Sequence, residues 1–264
     1  MKIHPTAVID PGARLGTDVE VGPYSLIGPL VTIGDRSVIR SHVVLEGAVE
    51  IGTDNVIGPG SIIGGAPQDL GFKPETQSRV VIGNNNIIRE HCTVHRGTME
   101  GSATVIGDGN FLMTAVHIGH NSQVGNGIIM ANNSLLGGHV QIQDRAFLGG
   151  GATFHQYVHV GRLAMVQGRS GFSKDIPPFV IGAIRNVVVG VNVIGLRRAG
   201  FSATERDEIK RAFKLLYRSG LNARQAVEEA ATLDFGPLGR EFFDFVANAR
   251  KRGIAPFREG HEEW

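Results

Sequence analysis

One aliphatic side chain at every sixth residue constrains this chain more than any other feature. The series runs Ile3, Ile9, Leu15, Val21, Ile27, Ile33, Ile39, Leu45, Ile51, Ile57 and Ile63, resumes at Ile82, Ile88 and Val94, and continues unbroken from Ile106 to Val166. A period of six suits neither a helix at 3.6 residues per turn nor a two-faced strand. It does suit a coil of very short strands and tight turns in which one aliphatic per hexad points inward. The repeat predicts an all-β solenoid, a parallel β-helix of hexapeptide repeats. Gly often follows the aliphatic, as at Gly16, Gly34, Gly58, Gly119 and Gly161. That is expected where a backbone turns sharply and tolerates no Cβ.

Two breaks interrupt the rhythm. Residues 66–81 contain two prolines and mixed charges, and the step from Ile63 to Ile82 is not a multiple of six, which predicts a long loop leaving the coil. A shorter break near 98–105 keeps the phase. After Val166 the repeat fades through Pro177-Pro178 and a Val-rich segment, and helix signals begin. Ser202 and Glu205 form a capping box ahead of a face made by Ile209, Ala212, Phe213 and Leu216; Asn222 caps a second helix, and Pro237 starts a third. The expected division is a β-helix over 1–190 and a C-terminal α-helical domain over 191–264. Lys210, Lys214 and Arg218 form a one-signed row on the first of these helices and suit an acidic partner, the alternative being a tail that only caps the open solenoid end.

Composition narrows the function. Gly is 37 of 264 residues without an every-third period, and hydrophobic content is 42%, which disfavours collagen and disorder. A net charge of +1 leaves no global field for nucleic acid or an anionic membrane. The single Cys92 excludes an intrachain disulfide and a cysteine zinc cluster and suggests a reducing, cytoplasmic setting. With no apolar run long enough for a membrane span or a leader, a soluble, unexported protein is expected.

Histidines concentrate at His91, His95, His117, His120, His139, His155 and His159. With three hexads per coil, positions eighteen apart stack, so His120, Gly138 and Gln156 form one column and Asn121, His139 and Tyr157 the next. An imidazole can act as a general base, and a glycine leaves its N–H approachable for a developing oxyanion, which makes this a candidate acyl-transfer site. A metal site is the rival reading, since hexapeptide solenoids include zinc-dependent carbonic anhydrases, although the spacings here differ from theirs. A non-catalytic scaffold is the third.

The ordered motifs Pro67-Gln68-Asp69-Leu70, Ile88-Arg89-Glu90, Val94-His95-Arg96-Gly97-Thr98, His117-Ile118-Gly119-His120, Asn132-Asn133, Gly138-His139-Val140, His155-Gln156, Asp175-Ile176-Pro177-Pro178 and Gly195-Leu196-Arg197-Arg198 lead on to Lys214-Leu215-Leu216-Tyr217-Arg218. Together they resemble the acyl-carrier-protein-dependent UDP-N-acetylglucosamine O-acyltransferases that begin lipid A synthesis. The resemblance implies a homotrimer of left-handed β-helices with sites between neighbours. It implies transfer of a 3-hydroxyacyl chain from acyl carrier protein to the 3-hydroxyl of the UDP-sugar, with no metal or other cofactor. The same machinery would serve a 3-amino UDP-sugar. By position, His120 matches the general base and Gly138 the oxyanion donor. His117, His139, His155, Gln156, Gln68 and Asp69 match sugar, phosphate or acyl contacts, and Asn192 and Arg198 match nucleotide contacts. Gly168 matches the acyl-length position, and its small size implies a long channel. The chain departs from the family pattern at Asn121, where Asp is common, at Gly71, where Lys is usual with Lys73 two residues on, and at Ile194 and Ala199, which often are Glu and Arg.

Overall fold

The computed structural model describes residues 1–249 and 252–258. The short strands take three sheets in turn, of eleven, nine and eight strands, so the chain winds around a three-sided prism as a left-handed parallel β-helix. One ordinary coil is eighteen residues, as in the pairing of Ile118 with Leu136. The two sequence breaks are coils of 31 and 24 residues, which push residues 66–78 and 97–102 out of the wall without disturbing the register above them. The second break keeps the phase because it inserts one whole hexad. The two outward loops are tied together: Gln77 N–H donates to Glu100 Oε2 (3.0 Å), and Ser78 Oγ donates to the Gly97 carbonyl (2.6 Å).

The inward aliphatics from Val21 to Val166 are at most 3% exposed. Each such burial stabilises by about 1.5–3 kcal/mol. Ile3, at 44% exposed, belongs to the same series and pairs on one side only, with Val21.

The glycines that follow the aliphatics are needed for a different reason than the one expected. The left-handed backbone conformation falls three residues after the aliphatic and is mostly borne by other residues, among them Asn121 (φ 60°) and His139 (φ 59°). The glycine instead lies against the next coil: a Cβ at Gly58 would sit 2.4 Å from the Arg89 carbonyl carbon.

The C-terminal end is closed. Val180–Ala183 and Val187–Val191 form an antiparallel hairpin, followed by α1 (Val193–Arg198), α2 (Ala203–Arg218), α3 (Ala223–Ala230) and α4 (Pro237–Ala247). The Ser202 and Asn222 caps form as the sequence predicts, each with its reciprocal partner, Glu205 or Gln225. Pro237 opens α4, and the predicted face of α2 is buried. The hairpin and the six-residue α1 carry no strong sequence signal and were not expected. Arg162 clamps the tail to the solenoid through a bidentate pair with Glu241 (2.7 and 2.6 Å). No described helix is long and apolar enough to cross a membrane.

Candidate active site

The nine-stranded sheet and the corner after it gather four of the histidines on one wall. His117 lies in the strand His117–Ile118, between Thr93 and Leu135 of the neighbouring coils. Its Nδ1 is 2.8 Å from Thr93 Oγ1, and its ring meets His95 edge-on at 4.8 Å between centroids. Burial, reinforced by His95 and His120, pushes the His117 imidazolium down to about 4, and burial followed by His120 lowers His95 too. Both rings are therefore neutral near pH 7 and offer hydrogen bonds rather than charge. One corner further on, His120 meets His139 edge-on at 5.2 Å, and His139 stacks on Tyr157 at 4.6 Å.

His120 is 8% exposed, and its Nδ1 lies 2.9 Å from Asn121 Oδ1. The Asn121 amide is oriented by Thr98, whose backbone N–H and Oγ1 approach the same oxygen at 3.0 and 2.9 Å. A backbone N–H only donates, so the atom facing it is the amide oxygen, and the His120 nitrogen facing that oxygen must carry the proton. The lone pair is left on Nε2. Asn121 thus orients the ring with a neutral group.

Gly138 lies directly above His120. A Cβ there would stand 2.3 Å from His120 Cε1 and 2.4 Å from Nε2, so only glycine lets the imidazole lie against this backbone. Among the described residues the Gly138 N–H donates no hydrogen bond, while its carbonyl accepts from Tyr157 N–H. An imidazole with an open Nε2 and an N–H without a partner among the described residues, on adjacent coils, are groups that can serve an acyl transfer to a hydroxyl.

The remaining candidate residues are spread more widely. His155 and Gln156 are exposed one coil above Gly138, with His155 Nδ1 against Arg252 Nη1 (2.6 Å). Gln68 and Asp69 are exposed on the first outward loop, where Asp69 Oδ1 accepts from Gly71 N–H. Asn192 caps α1 through Gly195 N–H and donates to the Leu163 carbonyl, while Arg198 is exposed at the end of that helix. Gly168 is exposed beside Gly150. Lys210 pairs with Asp207 (2.8 Å), Lys214 is exposed, and Arg218 lies over Phe257. Within one chain no hydrogen bond or ring contact among the described residues joins Gln68, Asp69, Asn192 or Arg198 to the histidine wall. His91 and His159 also stand apart, His91 against Gly60 on another corner and His159 on the eight-stranded sheet. No group of three or more His, Cys, Asp or Glu among the described residues is placed to hold a metal ion. Sequence reasoning missed Thr98 and Thr104, the latter taking the Asn121 N–H at 2.8 Å. Finding them requires knowing that the second break inserts one hexad and so brings residue 98 to the coil below 121.

A family model described as UDP N-acetylglucosamine O-acyltransferase, Domain 2, matches residues 175–255. An acyl-[acyl-carrier-protein]–UDP-N-acetylglucosamine O-acyltransferase of Saccharophagus degradans is 46% identical over 258 residues, covering 96% of this chain and 98% of the relative. That of Syntrophobacter fumaroxidans is 43% identical over 231 residues, covering 87% and 90%. The solved LpxA from Acinetobacter baumannii superposes with a TM-score of 0.92 at 39% identity, covering 97% of this chain and all of the other, 100%. The Arabidopsis UDP-N-acetylglucosamine acyltransferase superposes with a TM-score of 0.84 at 32% identity, covering 96% and 99%. At these identities over nearly the whole length of both chains, the chain belongs to the acyl-[acyl-carrier-protein]–UDP-N-acetylglucosamine O-acyltransferase family.

Proposed function

We propose that this acyltransferase moves a 3-hydroxyacyl chain from acyl carrier protein to the glucosamine 3-hydroxyl of UDP-N-acetylglucosamine, the first step of lipid A synthesis. The observation that carries the proposal is the fixed tautomer of His120 beside the unclaimed N–H of Gly138. Nε2 of His120 takes the proton of the 3-hydroxyl as its oxygen attacks the thioester carbonyl carbon. The oxyanion of the tetrahedral intermediate accepts from Gly138 N–H. The C–S bond then breaks, and the thiolate takes the proton back from the imidazolium, leaving the ester and the carrier-protein thiol. His117, His139, His155, Gln156, Gln68 and Asp69 hold sugar, phosphate and acyl groups in this reading. Asn192 and Arg198 hold the nucleotide, Gly168 sets acyl length, and the Lys210, Lys214 and Arg218 row receives the acidic carrier protein.

The protein works as a cytoplasmic homotrimer in which residues 1–190 build the clefts and residues 191–264 receive the carrier protein. Support comes from the outward side chains. Val8, Leu26, Ile62 and Leu135 on one sheet, and Ile87 and Ile129 on a second, are 36–62% exposed, while the third sheet turns out Arg14, Glu50, Arg79 and Gln123. Two apolar faces and one polar face per chain suit a closed threefold ring. Such packing would also bring a neighbour's Gln68, Asp69, Asn192 and Arg198 within reach of His120.

The test is product formation by mass spectrometry with acyl carrier protein and both the 3-hydroxyl and 3-amino UDP-sugars. Ester on UDP-N-acetylglucosamine, lost by about 10² to 10⁴ in rate in His120→Ala, is the expected result. Near-normal turnover by that variant removes His120 from the role of base.

A further inference from the structure

An asparagine beside a catalytic histidine has a wrong end. If the Asn121 amide turned over, its NH₂ would donate to His120 Nδ1, the ring proton would move to Nε2, and the base would be lost. A carboxylate has no such end, because both its atoms accept. A chain with Asn at this place therefore needs something to hold the amide one way round.

We propose that Thr98, on the outward hexad 97–102, is the positioning residue that does so. The proposal rests on the reading of His120 as the base. Besides the His120 ring, Thr98 meets Asn121 Oδ1 with its backbone N–H at 3.0 Å and its hydroxyl at 2.9 Å. Thr104, at the far end of the same excursion, takes the Asn121 N–H at 2.8 Å and holds the backbone of this left-handed residue. The hydroxyl accepts as readily as it donates and can serve either end of the amide, whereas the backbone N–H only donates, so a reversed amide would set its NH₂ against that N–H and lose a good hydrogen bond. With the N–H gone, nothing at this end opposes reversal, and the freed amide can donate to the ring. The inserted hexad thus sets, through Asn121, which nitrogen of His120 carries the proton.

The position of Thr98 has a second consequence. The same hexad is bonded to the end of the loop bearing Gln68 and Asp69, through Glu100 with Gln77 and Gly97 with Ser78. Thr98 itself touches neither that loop nor the neutral rings of His95 and His117 in any hydrogen bond of the described residues, so a Thr98 variant leaves the other groups of the wall in place.

The test pairs turnover with a tautomer readout on the full-length enzyme. Replacing the Gly97–Thr98 amide by an ester, with the α-hydroxy acid of threonine incorporated at position 98, removes only the N–H; Thr98→Val keeps the N–H and removes only the hydroxyl. The expected outcome for the ester enzyme is a fall in kcat of about tenfold, the effect of one hydrogen bond, with both KM values within about twofold. Ring-¹⁵N spectra of histidine-labelled enzyme, with His120 assigned by its loss in His120→Ala, should show a single Nδ1–H tautomer in the parent and a mixture in the ester enzyme. Thr98→Val should keep the single tautomer, because a hydroxyl serves either end of the amide. Asn121→Asp combined with the ester should restore the single tautomer, because the carboxylate has no wrong end. A single tautomer with parental kcat in the ester enzyme overturns the proposal, as does a mixture in Thr98→Val. If His120→Ala retains turnover, the base reading fails, while the tautomer spectra still judge Thr98.

Discussion

Gly138→Ala isolates the contact on which the site depends. The glycine backbone is not in the left-handed region, so alanine meets no conformational penalty there, and its N–H is retained. The added methyl would stand 2.3 Å from His120 Cε1, 2.4 Å from Nε2 and 2.9 Å from Nδ1, whereas ordinary contact begins at 3.4 Å. The imidazole must retreat by about 1 Å, and a misplacement of that size costs about 10²-fold in rate. It cannot swing freely, because Asn121 holds its Nδ1 and His139 closes one side. Stability should fall by only about 1–3 kcal/mol, the usual cost of one extra methyl in a packed place. Steady-state turnover with saturating acyl carrier protein and UDP-sugar, alongside thermal unfolding, separates the two effects. Gly190→Ala, where a Cβ meets nothing within 4 Å, is the control. A Gly138→Ala enzyme within about threefold of parental kcat would refute the steric argument, because the ring would then have had room that the geometry denies it.

Gly168→Met should shift preference toward shorter acyl chains; a Cβ there stands 3.1 Å from the Gly150 carbonyl oxygen, so the backbone gives by a few tenths of an ångström and the side chain projects outward. An unchanged chain-length profile by mass spectrometry removes Gly168 from the length-setting role. Lys210→Glu with Lys214→Glu should raise KM for acyl carrier protein and flatten its salt dependence while sparing the UDP-sugar KM, and equal losses for both substrates favour a tail that only caps. Lys214 should dominate the pair, since Lys210 already shares its charge with Asp207. The half-buried His117 binds a proton more readily unfolded than folded, so its contribution to stability is complete above about pH 6.5 and is lost as pH falls toward about 4. The full linkage would be about 3 kcal/mol, which part-exposure of the ring reduces to about 1–2 kcal/mol. Urea unfolding at stepped pH should show that loss in the parent and not in His117→Asn; parallel curves refute it.

The hexad period alone determined the solenoid, because one inward aliphatic per short strand is a local property that each eighteen-residue coil repeats, and register follows from stacking like on like. The same reasoning carried His120 and Gly138 to one column, and Ser202, Asn222 and Pro237 to helix starts, since caps are read within four residues. Tertiary structure decided what depends on distant segments. Thr98 meets Asn121 only because the second break adds a whole hexad to one coil, and the amide orientation, and with it the proton on His120, follows from that meeting. His91 and His159 match the histidine pattern in sequence yet fall on other faces, because position within the coil, rather than proximity along the chain, selects the wall. The glycine after each aliphatic was legible as a place without room for a Cβ. Its cause, the backbone of the next coil pressed against it, belongs to the stacked solenoid, and the left-handed turn lies two residues further on.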